Sequence, residues 1–327
     1  MLIPIQDLAG ESIDPFSLLD PDERARLLRA AETDVSILIL GETGTGKGQL
    51  ARAIADRSRR RALVEVNCAA LPEELLGSEL FGHKRGSFTG ATSDRKGILM
   101  AAAGKTVFLD EIGEISPNMQ RMLLRVAQRS NRTIKPLGAD TEFPLPPLRF
   151  LFATNRNLEV ESRAGRFRED LLRRIDVVSV TLPPLREMPK LIQGYAGKFL
   201  AELSKLHNIR VSGLDRRALE LLKEHPWPGN VRELKNVLER ALVTAPREKV
   251  VSLRVADIRW ATAPGRNGTV PALTMSHAES EAENIRRVVR EAKGNIARAA
   301  RVLGFSSRSS LYIRMKKYGI TMEGNEG

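Results

Sequence analysis

The chain has 327 residues, 42% of them hydrophobic, with 52 Lys+Arg against 40 Asp+Glu and a formal net charge of +12. Such a length allows two or three domains with real cores, and the positive balance favours an anionic partner, nucleic acid before membrane. One cysteine, Cys68, excludes an internal disulfide and suits a reducing cytosol; no apolar run nears the ~18 residues of a membrane span, and the start MLIPIQDLAGES has neither the basic nor the apolar region of a signal peptide.

The stretch VSILILGETGTGKGQLARAIAD predicts a buried strand over Val35–Leu40, a glycine loop and a helix. Gly41, Gly44 and Gly46 free the backbone to turn its amides toward an anion, and the helix aims its N-terminal end at the same place. Gly41, four residues, then Gly46-Lys47 is the P-loop pattern, in which the loop (Glu42, Thr43, Gly44, Thr45) cradles phosphates and Lys47 reaches the outer ones. Gly48 stands where a Ser or Thr usually follows the lysine.

HKRGSFTGATSD, residues 83–94, has no helical or strand periodicity, and two glycines bracket Phe88 and Thr89. From these residues alone, a core phenylalanine in a buried turn is the simplest reading. GKTVFLDEIGEI predicts a short buried strand from Thr106 to Leu109 that delivers Asp110 and Glu111 to a carboxyl edge, where α/β sheets bind ligands. There Asp110 can hold Mg²⁺ through water and Glu111 can activate an attacking water. LRFLFATNRNL predicts a third strand ending in Asn155, a polar group able to sense a γ-phosphate. Strands alternating with helices indicate a doubly wound parallel sheet over residues 1–183.

After the proline-marked break at Pro183 the texture turns mostly helical, giving a small second unit over 184–261, with Leu214, Ala218, Leu221 and Leu222 on one stripe. Residues 262–272, TAPGRNGTVPA, read as a linker. The tail, 273–327, holds ten Lys/Arg against the single acid Glu291 between residues 286 and 317, and a turn glycine, Gly304, between two helical stretches. That is a helix-turn-helix layout suited to DNA.

These motifs resemble those of the bacterial enhancer-binding proteins, AAA+ ATPases that activate sigma-54 RNA polymerase. GETGTGK is similar to their Walker A, VFLDEIGE to Walker B, ELFGHKRGSFTGA to the segment bearing their GAFTGA signature with Ser87 in place of the first alanine, ATNRNL to sensor I, GRFREDLLRRIDVVSVTLPPLRE to the arginine-finger segment, and WPGNVRELKNVLER to sensor II. The tail resembles their Fis-type helix-turn-helix. The resemblance runs from about residue 8 to residue 320. It implies an α/β AAA+ P-loop core, a helical lid and an all-α DNA-binding domain.

It also implies a cytoplasmic, hexameric ring that binds ATP and Mg²⁺, binds enhancer DNA, and drives sigma-54 polymerase from closed to open complex. Gly86, Ser87, Phe88, Thr89, Gly90 and Ala91 would form an exposed finger touching sigma-54. Arg168 and Arg174 would reach a neighbouring subunit's ATP, Asn67 would bond Glu111, and Arg232 would act from the lid. Ser307, Arg308, Ser309, Ser310, Tyr312, Arg314 and Lys316 would meet DNA.

The sequence departs from the family at Gly48, where glutamate is usual, at Gly104-Lys105, in the extra prolines of FPLPPLRF, and in a turn GFSSRSSLY that is one residue longer. The resemblance to the ATPase core begins within the first residues given, so regulation by a built-in receiver, GAF or PAS sensor is not expected. Two rival readings stay open: a DNA-binding regulator that keeps the ATPase fold without using sigma-54, and a replication or recombination motor.

Overall fold

The computed structural model describes residues 2–8, 13–88, 91–128, 132–245, 251–254 and 257–258, together with Val289 and Met315. The chain divides into two units, Met1–Arg259 and Trp260–Gly327. The linker expected over 262–272, the helix-turn-helix apart from Val289 and Met315, its proposed DNA contacts Ser307, Arg308, Ser309, Ser310, Tyr312, Arg314 and Lys316, and Thr89 and Gly90 lie outside the described residues.

The first unit is built on five parallel strands, in the spatial order Val178–Thr181, Ile37–Leu40, Arg149–Thr154, Thr106–Asp110, Leu63–Asn67. Alternate residues feed two cores. Ile37, Ile39, Phe108, Leu151 and Ala153 pack with Leu50, Ala51 and Ile54 of the helix Lys47–Arg57. Leu38, Val107, Leu109, Phe150 and Phe152 pack on the opposite face with Leu123, Val126, Leu171 and Ile175. A strand covered on both sides needs apolar residues at every position, which is why these segments read as continuous runs rather than alternating ones.

The first strand starts two residues later than the sequence suggests, at Ile37. The Val35 carbonyl is occupied by the Arg149 side chain, whose Nε donates to it at 3.2 Å. Arg149 is fully buried; its Nη1 and Nη2 donate to the carbonyls of Ala31 (2.8 Å) and Ala30 (3.0 Å), at the end of the helix Pro21–Ala31. Ala30 O also accepts from Thr33 N–H and Oγ1, and a cation at this helix end adds a donor to its last carbonyls and complements the helix dipole. Burial pushes the Arg149 guanidinium down to about 10.

The lid contains the helices Ile192–His207, Arg216–Glu224 and Asn230–Thr244, as expected. It also contains a sheet: Leu2–Pro4 pairs antiparallel with Val211–Asp215, which pairs parallel with Val251–Leu253. The N-terminal strand, assigned to the α/β core on sequence order, thus pairs with the lid instead. The apolar stripe of Arg216–Glu224 is Ala218, Leu219 and Leu222; Leu221 is only half-buried, and Leu214 belongs to the preceding strand.

Candidate nucleotide site

Ile37–Leu40 lies between Val178–Thr181 and Arg149–Thr154, and its chain turns through Gly41, Gly44 and Gly46, all with positive φ, into the helix that opens at Lys47. Lys47 is 6% exposed. Its Nζ donates to the carbonyls of Gly41 (2.9 Å) and Glu42 (3.3 Å) and lies 3.8 Å from Glu111 Oε1. Burial pulls its pKa down, while the neighbouring Glu111 and Asp110 carboxylates oppose that shift.

Glu111 follows the strand Thr106–Asp110 in the left-handed conformation, φ 54°. Its N–H donates to Asp110 Oδ1 at 2.9 Å. Burial raises its carboxyl pKa, against the attraction of Lys47, and Asp110 raises it further. Oε2 of Glu111 is buried without a partner, and so is Oδ1 of Asn155, whose Nδ2 donates to Thr43 Oγ1 at 3.1 Å. Two buried acceptors without protein partners, at the carboxyl edge of a sheet and beside a buried lysine, fit a ligand that brings hydrogen-bond donors. The structure therefore brings Lys47, Asp110, Glu111, Asn155 and the P-loop together. A cation that neutralises phosphate and a carboxylate that takes a proton from water are the parts phosphoryl transfer to water requires.

Asn67 departs from expectation. It ends the strand Leu63–Asn67, and its Oδ1 accepts from Ala69 N–H at 2.9 Å, closing a local turn instead of bonding Glu111.

Sequence reasoning missed how the lid grips the P-loop. Glu42 accepts from Arg186 Nη2 (2.7 Å to Oε1) and Nη1 (2.9 Å to Oε2), and from Asn230 Nδ2 (3.1 Å). Those bonds hold the Glu42 carboxyl below its usual range. Asn230 is fully buried, donates also to Thr43 O (3.0 Å), and accepts from Leu185 N–H (2.8 Å). Val231 N–H donates to Gly44 O at 3.0 Å, and a Cβ on Gly44 would lie 2.3 Å from Gly229 O, so only glycine permits this approach. The available signal was PGN at a helix start, since asparagine tolerates the left-handed φ of 52° found at Asn230. Arg232, the third residue of that helix, is exposed, and its guanidinium has no hydrogen-bond or ion-pair partner among the described residues.

Arg168 occupies the N-cap position of the helix Glu169–Ile175 without a side-chain capping bond, and its guanidinium grips Asp170 at 3.0 and 2.7 Å. Arg173 is held by Glu169. Arg174 is exposed, and its guanidinium has no hydrogen-bond or ion-pair partner among the described residues. Neither Arg168 nor Arg174 bonds to its own chain's P-loop.

The loop after Gly82 is folded on itself. Gly86 N–H donates to Ala91 O (2.9 Å), Ala91 N–H to Phe88 O (3.0 Å), and Ser87 N–H to Lys84 O (3.1 Å). Phe88 is half-buried rather than fully extended, its ring edge-on to His83 at 5.0 Å. Ser87 sits over Gly138, where an added Cβ would come within 2.6 Å of Ser87 Cβ. Among the described residues no cluster of three or more His, Cys, Asp or Glu could hold a metal, and no helix is long and apolar enough to cross a membrane.

Comparison with known proteins accounts for this arrangement. A sigma-54 interaction domain model matches residues 22–181, an AAA+ ATPase lid domain model residues 186–260, and a bacterial regulatory protein, Fis family, model residues 276–318. The alginate biosynthesis transcriptional regulatory protein AlgB of Pseudomonas syringae pv. tomato is 41% identical over 324 residues, 97% of this chain and 70% of the relative. Nitrogen fixation protein AnfA of Azotobacter vinelandii is 40% identical over 297 residues, 90% of this chain and 55% of the relative. Hydrogenase transcriptional regulatory protein HoxA of Bradyrhizobium diazoefficiens is 44% identical over 300 residues, 89% and 61%. The chain thus spans 55% to 70% of the length of these relatives. Crystalline NtrX from Brucella abortus in complex with ATP superposes with a TM-score of 0.63 at 29% identity, covering 95% of this chain and 70% of that one. The chain belongs to the family of sigma-54-dependent enhancer-binding regulators, with an AAA+ ATPase domain of the sigma-54 interaction type, its lid and a Fis-family segment.

Proposed function

We propose that the protein is a cytoplasmic, DNA-bound transcriptional activator that hydrolyses ATP to drive the sigma-54 polymerase closed complex to the open state, working as a hexameric ring. The observation that carries this reading is buried Lys47 beside part-buried Glu111, whose Oε2 is buried with no protein partner among the described residues, in a chain whose core matches the sigma-54 interaction domain.

Lys47 exchanges the Gly41 and Glu42 carbonyls for the outer phosphates. Glu111 Oε2 accepts a hydrogen bond from the attacking water and takes its proton; burial makes that carboxylate a stronger base than an exposed glutamate. The Thr43 hydroxyl can donate to Asn155 Oδ1 as well as accept from Nδ2, so an amide flip would turn the Asn155 NH₂ toward the γ-phosphate. Arg232 adds charge from the lid, and Arg168 and Arg174 add it from the neighbouring subunit, where fixed cations stabilise the transferring phosphoryl group.

Magnesium suits the residues present. Asp110 offers one carboxylate, and a Cβ on Gly48 would meet nothing nearer than Phe108 at 3.9 Å, leaving room for water. Asp110 would hold the ion through water, with phosphates completing the shell, and the ion supplies charge neutralisation. Hydrolysis alters loop 86–91 through differential contacts in the nucleotide states. Phe88 and Thr89, with Gly86, Ser87, Gly90 and Ala91, then bear on sigma-54. Residues 307–316 bind the enhancer.

The test is transcription from a sigma-54 promoter with purified polymerase, with and without ATP. Open complexes that require ATP support the reading. ATP turnover without open complexes would leave a regulator that does not use sigma-54.

A further inference from the structure

Gln120 is 1% exposed, within the helix Pro117–Val126 that follows the Asp110–Glu111 segment. Its neutral amide makes three bonds to backbone. Nε2 donates to Ile115 O (3.1 Å) and to Arg166 O (3.0 Å), and Oε1 accepts from Arg168 N–H (2.8 Å). Between the two gripped residues, Phe167 is buried in the same core as Met119 and Leu123 of the glutamine's own helix. Arg168 is the N-cap of the helix that carries Arg174. One side chain therefore joins the end of the catalytic segment, at Ile115, to the start of the arginine-bearing helix. An apolar residue of the same size would fill the space but take this partner from the buried Ile115 carbonyl and from the part-buried Arg166 carbonyl and Arg168 N–H. Packing alone does not call for a glutamine here.

We propose that Gln120 is a positioning residue for the arginines that act in the neighbouring subunit. It keeps Arg168 and the helix bearing Arg174 in register with residues 110–115, so that a change at one nucleotide is passed to the arginines this subunit presents to the next. The inference rests on the reading of Arg168 and Arg174 as acting between subunits.

Two variants test it. Gln120→Met keeps the length and loses all three bonds; Gln120→Glu still accepts from Arg168 N–H but cannot donate. Titration with a fluorescent ATP analogue should give affinities within about twofold of wild type, because the cradle is untouched. Turnover of uniform rings should fall at least ~10-fold, with kcat reduced, KM unchanged and Gln120→Glu the milder variant.

Mixing supplies the readout that a purely structural role would not move. Gln120→Met chains mixed with Lys47→Ala chains should regain turnover, since one interface then combines an intact cradle with correctly held arginines. Mixed with Arg174→Ala chains they should regain nothing. Recovery with Arg174→Ala but not with Lys47→Ala would overturn the proposal, as would unchanged turnover in both variants. The Arg174→Ala plus Lys47→Ala mixture is the control: if it stays inactive in mixed rings, the reading of the arginines fails first and the proposal with it. Should Gln120→Met melt early, Gln120→Glu carries the same tests. Early melting of both, with no recovery in either mixture, would return Gln120 to a structural role.

Discussion

Two glycine-bounded loops, 41–46 and 82–91, are held in opposite ways. The P-loop is fastened to the lid by Arg186, Asn230 and Val231, and Gly44 lies so close to Gly229 that no side chain fits. The other loop is pinned at its base, where a Cβ on Gly82 would come within 2.5 Å of Arg95 O, but Gly86, φ 81°, has open space around it. Above that base it is closed by its own turn bonds and by the edge-on contact of Phe88 with His83. An aromatic contact of that kind contributes about 1 kcal/mol beyond area burial, little enough for a partner surface to replace. Chemistry on a phosphate needs donors fixed before the reaction, whereas a loop that must reach a partner needs a resting state that is easily left.

The comparison breaks most visibly at the fixed loop. Glu111→Gln should still bind ATP while steady-state turnover falls about 10⁴-fold, and Lys47→Ala should lose binding itself; equilibrium binding and phosphate release separate the two. The same carboxylate sets a pH limit. Glu111 must be ionised to act, and burial raises its pKa, so kcat/KM should fall on acidification at a pH above the usual glutamate range. A pH–rate profile flat down to the ordinary glutamate range would remove Glu111 as the base.

Arg174→Ala should lower turnover about 10³-fold. Arg168→Ala should cost less, because Asp170 already occupies its guanidinium. ATPase assays on the two single variants rank them, and the reverse ranking would make Arg168 the principal finger.

Phe88→Ala sharpens the contrast from the movable side. Truncating a contact anchor typically costs ~2 kcal/mol, roughly thirtyfold in sigma-54 binding with a transition-state mimic of ATP, while turnover stays within a few-fold. Its melting temperature should stay close to wild type, since the ring is only half-buried. A large drop in both melting temperature and turnover would return Phe88 to the core. The smallest effect is expected at Gly48: Gly48→Ser should lower the magnesium needed for half-maximal turnover by about two- to fivefold, since the added hydroxyl has room and can serve the ion.

Features whose partners are local were legible from the residues alone. The spacing from Gly41 to Lys47 and the runs Ile37–Leu40, Thr106–Asp110 and Arg149–Thr154 follow from chain geometry within a few residues, so the α/β core, the P-loop and the strand-end position of Asp110, Glu111 and Asn155 were legible. Tertiary structure decided what depends on distant partners. The N-terminal strand joined the lid because its edge pairs with residues 213–215. Asn230 and Glu42, 188 positions apart, meet only once the lid closes over the P-loop. Arg149 reads as a misplaced charge in an apolar run until helix carbonyls more than a hundred residues earlier surround it. Gln120 reads as one more polar residue on a helix until the chain returns at Arg166–Arg168 to occupy its amide. A buried polar group is stable only with partners, and no periodicity in the sequence records partners that folding alone brings near.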